Sequence, residues 1–364
     1  MGKNQSFRKR IRAFFRERAY VADSRLFFRS HRGFRLLAAP HGIIPANGLP
    51  PDEDVSVMVT PGWWVTSFFT KPVLCDAVVA RHTFGRFGNQ TFQLVNTLTV
   101  ARSLGISVAL LPGNIVTEPG THRVEGVSWN NQPDTVSPLT TKNMFAVVPG
   151  VLSSKAHLVG TFFQTGVIPQ KLANRELRTQ SFGLVRSTLA TKQPVHAAEP
   201  NHLVVHIRGD DVFNDSPPKA YAQPPLAFYQ LVLDDHPWRK VTIVSGDQKN
   251  PVLTPLMREL ENRGIEHRFQ SETLDEDLAH VRRAKNVVSG RGSFVPAITG
   301  LSDAVSTVYC FEESDFFRTD IEVRVVVDRV GEYVEQTYRN NWRNTEEQRV
   351  LMVTYSKANL EIKA

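Results

Sequence analysis

In the stretch 203–213, LVVHIRGDDVF, side chains that can do chemistry follow directly on an apolar run. Four of the first five residues are apolar, as expected of a buried strand, and His206 interrupts them. Arg208 and Asp211 lie just after the run. A guanidinium can bind two phosphate oxygens at once, and a nearby carboxylate can hold that guanidinium or a sugar hydroxyl. The pattern therefore predicts an anion site at the end of a strand, with Arg208 as its cation.

His206 has two interpretations. A histidine inside an apolar strand more often fixes neighbouring loops than titrates during a reaction. A catalytic role beside Arg208 and Asp211 is the alternative, and the residues leave both open.

Two more apolar runs in this part of the chain end in polar turns with glycine, VSGDQKN and VVSGRGSF. In open α/β sheets, ligands bind outside the carboxyl ends of the strands. The glycines of the second turn would let backbone N–H groups face a ligand just before a helix, where negative charge is favoured. Each turn alone is more often an ordinary connection. Three together favour a ligand, and the one that fits is a phosphate-bearing nucleotide.

The elements that would position these turns alternate regularly. The pattern predicts strands at 202–208, 241–245, 265–270, 286–289 and 306–311, and helices between them that begin near Pro225, Pro251, Leu274 and Ser293. This alternation predicts a doubly wound α/β half with a parallel sheet.

An earlier βαβ unit is predicted in the first half of the chain. Its strands are 77–81 and ISVALLP, and its helix runs from about Asn89 to Leu104. Phe92, Val95, Leu98 and Val100 should face inward. The stretch 113–150 is rich in Pro, Gly, Asn and Thr, which predicts a surface dominated by loops.

The fold class is therefore predicted to be α/β, with two doubly wound domains. The predicted segments are a basic amphipathic extension (1–34), an N-terminal domain (35–190), a linker (191–201), a C-terminal nucleotide-sugar-binding domain (202–311) and a strand with a helical extension (312–364).

Several other chemistries lack their motifs. The P-loop pattern and a G-x-G-x-x-G after the first strand of either half are missing, and no His/Cys spacing is typical of zinc. Two D-x-D stretches, 52–54 and 275–277, have structural explanations, in a proline-bounded loop and at a helix start. We therefore predict no metal and no cofactor. Cys75 and Cys310 are expected to be buried and reduced.

Positive charge is concentrated at the N-terminus. The formal net charge is +7, and residues 1–40 alone carry eleven Lys or Arg against two acids, which leaves −2 for the rest. This argues against nucleic acid as a partner of the folded body. Residues 1–34 could lie on an anionic membrane surface or pack on the body with solvated arginines. The expected location is cytoplasmic, with peripheral membrane contact as the alternative.

Five stretches, in order, resemble a known family. GRFGNQTFQLVNTLTVARSLG, HLVGTFFQ, HIRGDDVF, IVSGD and DEDLAHVRRAKNVVSGRGSFVPAITGLS are similar to motifs of the bacterial α-1,2-fucosyltransferases (glycosyltransferase family 11-like), within the GDP-fucose-dependent fucosyltransferase superfamily. The resemblance covers about Phe84 to Phe311. It implies a GT-B fold, in which two Rossmann-like domains face each other across a cleft, and metal-independent inverting transfer of fucose from GDP-fucose to a glycan hydroxyl.

The resemblance also implies residue roles. Arg208 would bind the β-phosphate and neutralise charge on the departing GDP, Asp211 would order the loop, and His206 completes the candidate catalytic set. Residues implied to bind the sugar donor are Gly88, Asn89, Gln90, Arg208, Asp247, Ser289, Gly290, Arg291, Gly292 and Ser293.

The chain departs from the family at one informative position. Many members carry two arginines in H-x-R-R-x-D, and here the second is Gly209. We hypothesise that Arg291 supplies the missing charge. The departure keeps two alternatives open, transfer of another GDP-sugar and a nucleotide- or glycan-binding relative without turnover. No residue identifies the catalytic base, since Asp215 is equally plausible as a solvated turn residue.

Overall fold

The computed structural model divides the chain into two units, Met1–Ala190 and Thr191–Ala364. The division falls at the first residue of the segment 191–201. The structure describes residues 35–37, 66–68, 75–80, 86–103, 107–112, 116–117, 120–132, 146–149, 156–160, 175–189, 199–312 and 316–363.

The first unit is built on a mixed sheet with two described helices. Its strands are β1 (Arg35–Leu37), β2 (Thr66–Phe68), β3 (Cys75–Ala80), β4 (Val108–Pro112), β5 (Gly120–Val124), β6 (Val127–Gln132), β7 (Ala146–Pro149) and β8 (Ala156–Gly160), and its helices are α1 (Phe87–Ser103) and α2 (Arg175–Arg186). Strands β3 to β8 form one sheet in the order β5-β6-β4-β3-β8-β7, and β1 pairs with β2.

The predicted βαβ unit is confirmed. Strands β3 and β4 pair in parallel, with α1 between them in the chain. All four residues predicted to face inward are fully or almost fully buried. The polar residues in the middle of α1, from Thr91 to Thr99, are buried as well. Its threonines donate to carbonyl oxygens one turn back, as Thr91 does to Phe87 at 2.9 Å, so their hydroxyls are satisfied without water.

The stretch 113–150 was predicted to be dominated by loops, and this prediction is wrong where the structure describes it. Strands β5 and β6 form an antiparallel hairpin, and β7 pairs with β8. The hairpin turn is Glu125-Gly126, with φ of 46° and 78°, the left-handed values that a two-residue hairpin turn needs. Trp129, on β6, is almost fully buried. The alternation of side chains that is typical of strands, on both sides of this short turn, outweighs the loop-like composition of the stretch in setting its structure.

The second unit is a doubly wound α/β fold. Its strands are β9 (His202–His206), β10 (Lys240–Val244), β11 (Glu266–Gln270), β12 (Asn286–Ser289), β13 (Thr307–Phe311), β14 (Glu322–Asp328) and β15 (Leu360–Lys363), and its helices are α3 (Leu226–Asp235), α4 (Leu253–Asn262), α5 (Leu274–Arg283), α6 (Phe294–Gly300), α7 (Glu332–Thr337) and α8 (Glu346–Thr354). The five strands and four helices predicted for 202–311 are all present, and the strand boundaries and helix starts agree within two residues. The prediction of an α/β fold class with parallel-rich sheets is confirmed.

The order of strands in the second sheet reverses direction once. The sheet reads β11-β10-β9-β12-β13-β14-β15, and every neighbouring pair up to β14 is parallel. The chain therefore winds from β9 outward through β10 and β11, and then from β12 outward through β13 and β14. The reversal lies between β9 and β12, and such a switch point is where open α/β sheets bind ligands at their carboxyl ends.

The C-terminal segment completes the core of this unit. Strand β14 pairs in parallel with β13, and β15 closes the sheet as an antiparallel edge. The sequence predicted a strand with a helical extension in 312–364, and the structure has two helices there, separated by residues 338–345. Arg339, Asn340 and Asn344 have positive φ there. The break allows Trp342, which is fully buried, to turn into the core.

Some predictions lie outside the described residues, namely the basic extension 1–34 and the D-x-D stretch at 52–54. Among the helices that the structure describes, none is long and apolar enough to cross a membrane.

Trp342 should be a main support of the second unit. Its indole N–H donates to the Val212 carbonyl oxygen at 2.8 Å, and its ring packs edge-to-face on Phe213. We expect Trp342→Ala to lower the free energy of unfolding by about 3–5 kcal/mol, because it leaves a large cavity and an orphaned carbonyl. Chemical denaturation of the full chain measures the change. Val330→Ala is the control, because Val330 is 62% exposed and its loss should change stability by less than ~0.5 kcal/mol.

Candidate functional site

The ends of β9 and β12 are hydrogen-bonded to each other at the point where the order of strands reverses. The Gly290 N–H donates to the His206 carbonyl oxygen at 3.1 Å, just beyond the last residue of β12. A Cβ at position 290 would lie 3.1 Å from this same oxygen and 3.1 Å from Oε1 of Gln223. A side chain at 290 would press on both atoms, so glycine favours the close approach of the two backbones, and the turns that follow β9 and β12 are neighbours.

Arg208 lies in this junction and is held from two sides. Its Nη2 donates to both carboxylate oxygens of Asp211, at 3.0 and 3.1 Å. Its guanidinium carbon lies 4.4 Å from the centre of the Tyr221 ring. Both contacts fix the plane of the guanidinium.

The ion pair with Asp211 leaves most of the guanidinium available. The Arg208 side chain is 25% exposed, and Nε and Nη1 have no hydrogen-bond partner among the described residues. Nη1 points to the turn after β12, since a Cβ at Gly292 would lie 2.9 Å from it. An anion near Gly292 could therefore bind the N–H groups of Nη1 without displacing Asp211 from Nη2.

Backbone N–H groups of the turn 290–293 were expected to face a ligand, but two of them already donate hydrogen bonds within the protein. The Gly290 N–H is bound to His206, and the Arg291 N–H donates to Oε1 of Gln223 at 3.2 Å. The Gly292 N–H has no partner within the described residues, and φ of 138° at Gly292 excludes most other residue types. Helix α6 has only seven residues, so its dipole adds little.

The carboxylate of Asp247 links the turns after β9 and β10 by hydrogen bonds. Its Oδ2 accepts the Asp210 N–H at 2.9 Å, and its Oδ1 accepts the Lys249 N–H at 3.0 Å. A Cβ at Gly209 would lie 1.9 Å from Oδ1. The carboxylate therefore occupies the space that a side chain at 209 would need, which is why this chain has glycine at that position. Contact of Asp247 with a nucleotide stays a prediction.

His206 is held in a neutral form. Its burial, with a smaller contribution from the charge of Arg208, lowers its pKa to about 3. Nδ1 is buried without a hydrogen-bond partner among the described residues, and the ring packs against Phe294 with centroids 4.9 Å apart. An imidazole with so low a pKa is a weak proton acceptor at neutral pH, so these contacts favour the positioning interpretation over the catalytic one.

The other predicted residues of the second unit lie around the same turn. Ser289 is buried and donates to the Gly290 carbonyl oxygen at 2.9 Å. The guanidinium carbon of Arg291 lies 4.3 Å from the centre of the Tyr338 ring, and Ser293 is the residue before α6. Asp215 is exposed in a bend. Arg291 as a second charge for the ligand stays a prediction.

Gly88, Asn89 and Gln90 lie in the first turn of α1, in the first unit. Gly88 is buried, and the other two are partly exposed. Their predicted contact with the sugar donor is not tested by the structure of either unit.

Metal ligands do not cluster within the described parts of the chain, where no group of three His, Cys, Asp or Glu side chains is suitable for an ion. The acidic stretch 275–277 opens α5, and Thr273 and Glu276 form a capping box there. That geometry agrees with its structural interpretation. Metal independence of the reaction stays a prediction.

Two residues of the site were missed at the level of sequence, Tyr221 and Gln223. Both lie in the segment SPPKAYAQPP, whose prolines mark a connection and give no sign of a binding role. The useful signal would have been that this connection follows β9 and must cross the carboxyl edge of the sheet before α3 begins.

Comparison with known proteins gives distant structural likenesses. No protein-family model and no curated protein matches the chain. A crystal structure of POFUT1 in complex with GDP-fucose is 12% identical, with a TM-score of 0.37 over 64% of this chain and 97% of that chain. A crystal structure of POFUT1 in complex with GDP is 13% identical, with a TM-score of 0.35 over 65% and 99%. The bacterial iron-containing dodecameric glycosyltransferase TibC, from enterotoxigenic E. coli, is 12% identical, with a TM-score of 0.40 over 79% and 75%. Likeness at this level decides neither the activity nor the substrates of this chain.

The contact between Gly209 and Asp247 should be measurable as an energetic coupling. Gly209→Ala forces a methyl group into the Asp247 carboxylate, and we expect it to lower the free energy of unfolding by about 1–3 kcal/mol. In an Asp247→Ala background the same change should cost at least ~1 kcal/mol less, because the clash is gone. Urea denaturation of the four proteins closes this double-mutant cycle.

Gly246→Ala is the matched control for this cycle. Gly246 is a glycine of the neighbouring turn, and a methyl group added there would have nothing within 4 Å among the described residues. Strictly additive effects of Gly209→Ala and Asp247→Ala would contradict the contact between position 209 and the Asp247 carboxylate.

The low pKa of His206 should appear in the pH dependence of stability. Its pKa in the folded protein, about 3, lies below the ordinary value of 6.5. The unfolded chain therefore binds more protons below pH 6.5, and stability should fall as the pH drops. Between pH 7 and pH 5 we expect His206 to account for a loss of about 1–2 kcal/mol. In His206→Gln that part of the loss should vanish, as judged by denaturation at both pH values. Equal losses in the two proteins would show that His206 titrates normally.

Proposed function

We propose that this protein is a glycosyltransferase that binds a nucleoside diphosphate sugar at the junction of β9 and β12. The observation that carries the proposal is the position of Arg208, which follows β9 where the order of strands reverses, and whose Nε and Nη1 have no hydrogen-bond partner among the described residues. A fixed guanidinium at the carboxyl end of a parallel sheet suits the diphosphate of a nucleotide.

Arg208 would also contribute to the reaction itself. When the bond between the sugar and the diphosphate breaks, negative charge develops on the departing phosphate oxygens. A guanidinium that is already oriented stabilises this charge without reorganisation, and loss of one such interaction commonly lowers kcat by about 10²–10³-fold. Asp211 would hold the guanidinium in the required plane.

The identity of the sugar and of the acceptor rests on the sequence motifs. Their resemblance to the fucosyltransferases supports GDP-fucose as the sugar donor, a glycan hydroxyl as the acceptor, and inversion without a metal. The GDP complexes and glycosyltransferases among the solved structures agree with this class of donor but are too distant to argue for it.

A nucleotide-binding relative without turnover is the second candidate. It is favoured by the environment of His206, whose low pKa makes it a weak base, and by Gly209 in place of the second arginine. Release of GDP from GDP-fucose with a panel of glycan acceptors separates the two candidates. The enzyme releases GDP in a manner that depends on the acceptor, whereas the relative binds GDP-fucose and releases none.

Binding should depend on Arg208. GDP at ~100 times its dissociation constant should stabilise the wild-type protein by about 2.7 kcal/mol in a thermal-shift experiment. We expect Arg208→Ala to weaken GDP binding by at least ~10-fold, since it removes charged hydrogen bonds to the diphosphate.

Arg263→Ala is the matched control for this measurement. Arg263 is 27% exposed, is ion-paired to Asp234 and Glu259, and follows α4 at the opposite end of the sheet. It should leave the affinity for GDP unchanged. Equal affinities of Arg208→Ala and wild type would reject the proposed site.

A further inference from the structure

A short segment between β9 and α3 contacts both halves of the junction. Tyr221 lies against the guanidinium of Arg208, and Gln223 lies against the turn 290–291. Neither contact was expected from the sequence, and neither residue has a role in the function proposed above.

Tyr221 is suited to orient Arg208. Its ring is partly buried and packs against the hydrophobic core of the second unit, so the ring itself is fixed. With the guanidinium carbon 4.4 Å from its centre, the ring supports one face of the cation, while Asp211 binds Nη2 at the edge. Together they restrict rotation about the long arginine side chain and direct Nη1 toward Gly292.

Gln223 fixes the backbone on both sides of this contact. Its side chain is fully buried, accepts the Arg291 N–H at 3.2 Å and donates to the Tyr221 carbonyl oxygen at 2.9 Å. The backbone carbonyl oxygen of Gln223 accepts a hydrogen bond from the Tyr333 hydroxyl at 2.6 Å. The backbone of Tyr221 and the turn that contains Gly292 are therefore tied to one buried amide.

We propose that Tyr221 is a positioning residue of the diphosphate site, which holds the Arg208 guanidinium in the orientation that presents Nη1 to the ligand, on a backbone that Gln223 keeps in place. The proposal rests on the function proposed above, which supplies the diphosphate. Tyr221 acts through Arg208, because one face of its ring is covered by the guanidinium and the ring packs against the core.

The test compares a ligand that has phosphates with one that has none. Tyr221→Leu removes the aromatic face but keeps an apolar side chain on the core, and Tyr221→Phe keeps the face. By calorimetry on the full chain, Tyr221→Leu should weaken GDP binding by about 3- to 10-fold, the range of a partly exposed cation–π contact. Guanosine should bind all three proteins equally. Tyr221→Phe should bind GDP like the wild type.

Coupling to Arg208 separates positioning from a general structural effect. In an Arg208→Ala background, Tyr221→Leu should cause no further loss of GDP affinity, because there is no guanidinium left to orient. A loss that is the same in both backgrounds, or that affects guanosine and GDP alike, would overturn the proposal.

A measurement without ligand keeps the two proposals distinguishable. The Arg208 Nε–H resonance, assigned as the peak that Arg208→Lys removes, should move in Tyr221→Leu and stay near its place in Tyr221→Phe, because the ring current is lost only in the former. If the wild type bound no GDP but the resonance moved as expected, the proposed function would fail while the orienting contact stood. An unchanged resonance in Tyr221→Leu would refute the contact itself.

Discussion

Parallel pairing between β9 and β12 continues to the last residue of β9 and one residue beyond β12, through the hydrogen bond from the Gly290 N–H to the His206 carbonyl oxygen. Arg208 lies two residues after His206, and Gly292 lies two residues after Gly290. The register of the two strands therefore brings the guanidinium and the open turn together. Because the chain winds away from this pair in opposite directions, no crossover helix has to cover the junction, and it can accept a ligand.

The turns at this junction are ordered by contacts that come from elsewhere in the second unit. Asp247 binds the Asp210 N–H after β9, where φ at Asp210 is 55°, a left-handed value that needs outside support in a residue other than glycine. The C-terminal segment adds Trp342 and Tyr333, which donate to the backbone at Val212 and Gln223. Residues after 311 thus serve the site, although none of them belongs to a binding motif.

The sequence predicts what depends on local pattern and misses what depends on tertiary approach. The strands from β9 to β13, apart from the polar β11, are apolar runs that end in turn residues, and the interior of α1 follows helical spacing, so both were predictable. The hairpin at Glu125-Gly126 had a local signal that the composition of its surroundings obscured. The roles of Tyr221 and Gln223 had none, because a cation–π contact and a buried amide bridge form only after the sheet brings distant segments together. Gly209 likewise looked like a lost arginine, and its cause, the Asp247 carboxylate, lies 38 residues away in the chain.

The charge that a diphosphate would meet depends on which cations are free to turn toward it. Asp211 neutralises part of the charge of Arg208. Burial keeps His206 uncharged, so His206 adds no second positive charge. Arg291 is the candidate from the same turn, but Gln223 holds its backbone and its guanidinium lies over Tyr338. For Arg291 to serve a ligand, its side chain would have to leave that ring while its backbone stayed in place. A long, flexible side chain on a fixed backbone can make this movement, and the binding of the diphosphate would have to exceed the stacking energy of about 0.5–2 kcal/mol that it replaces.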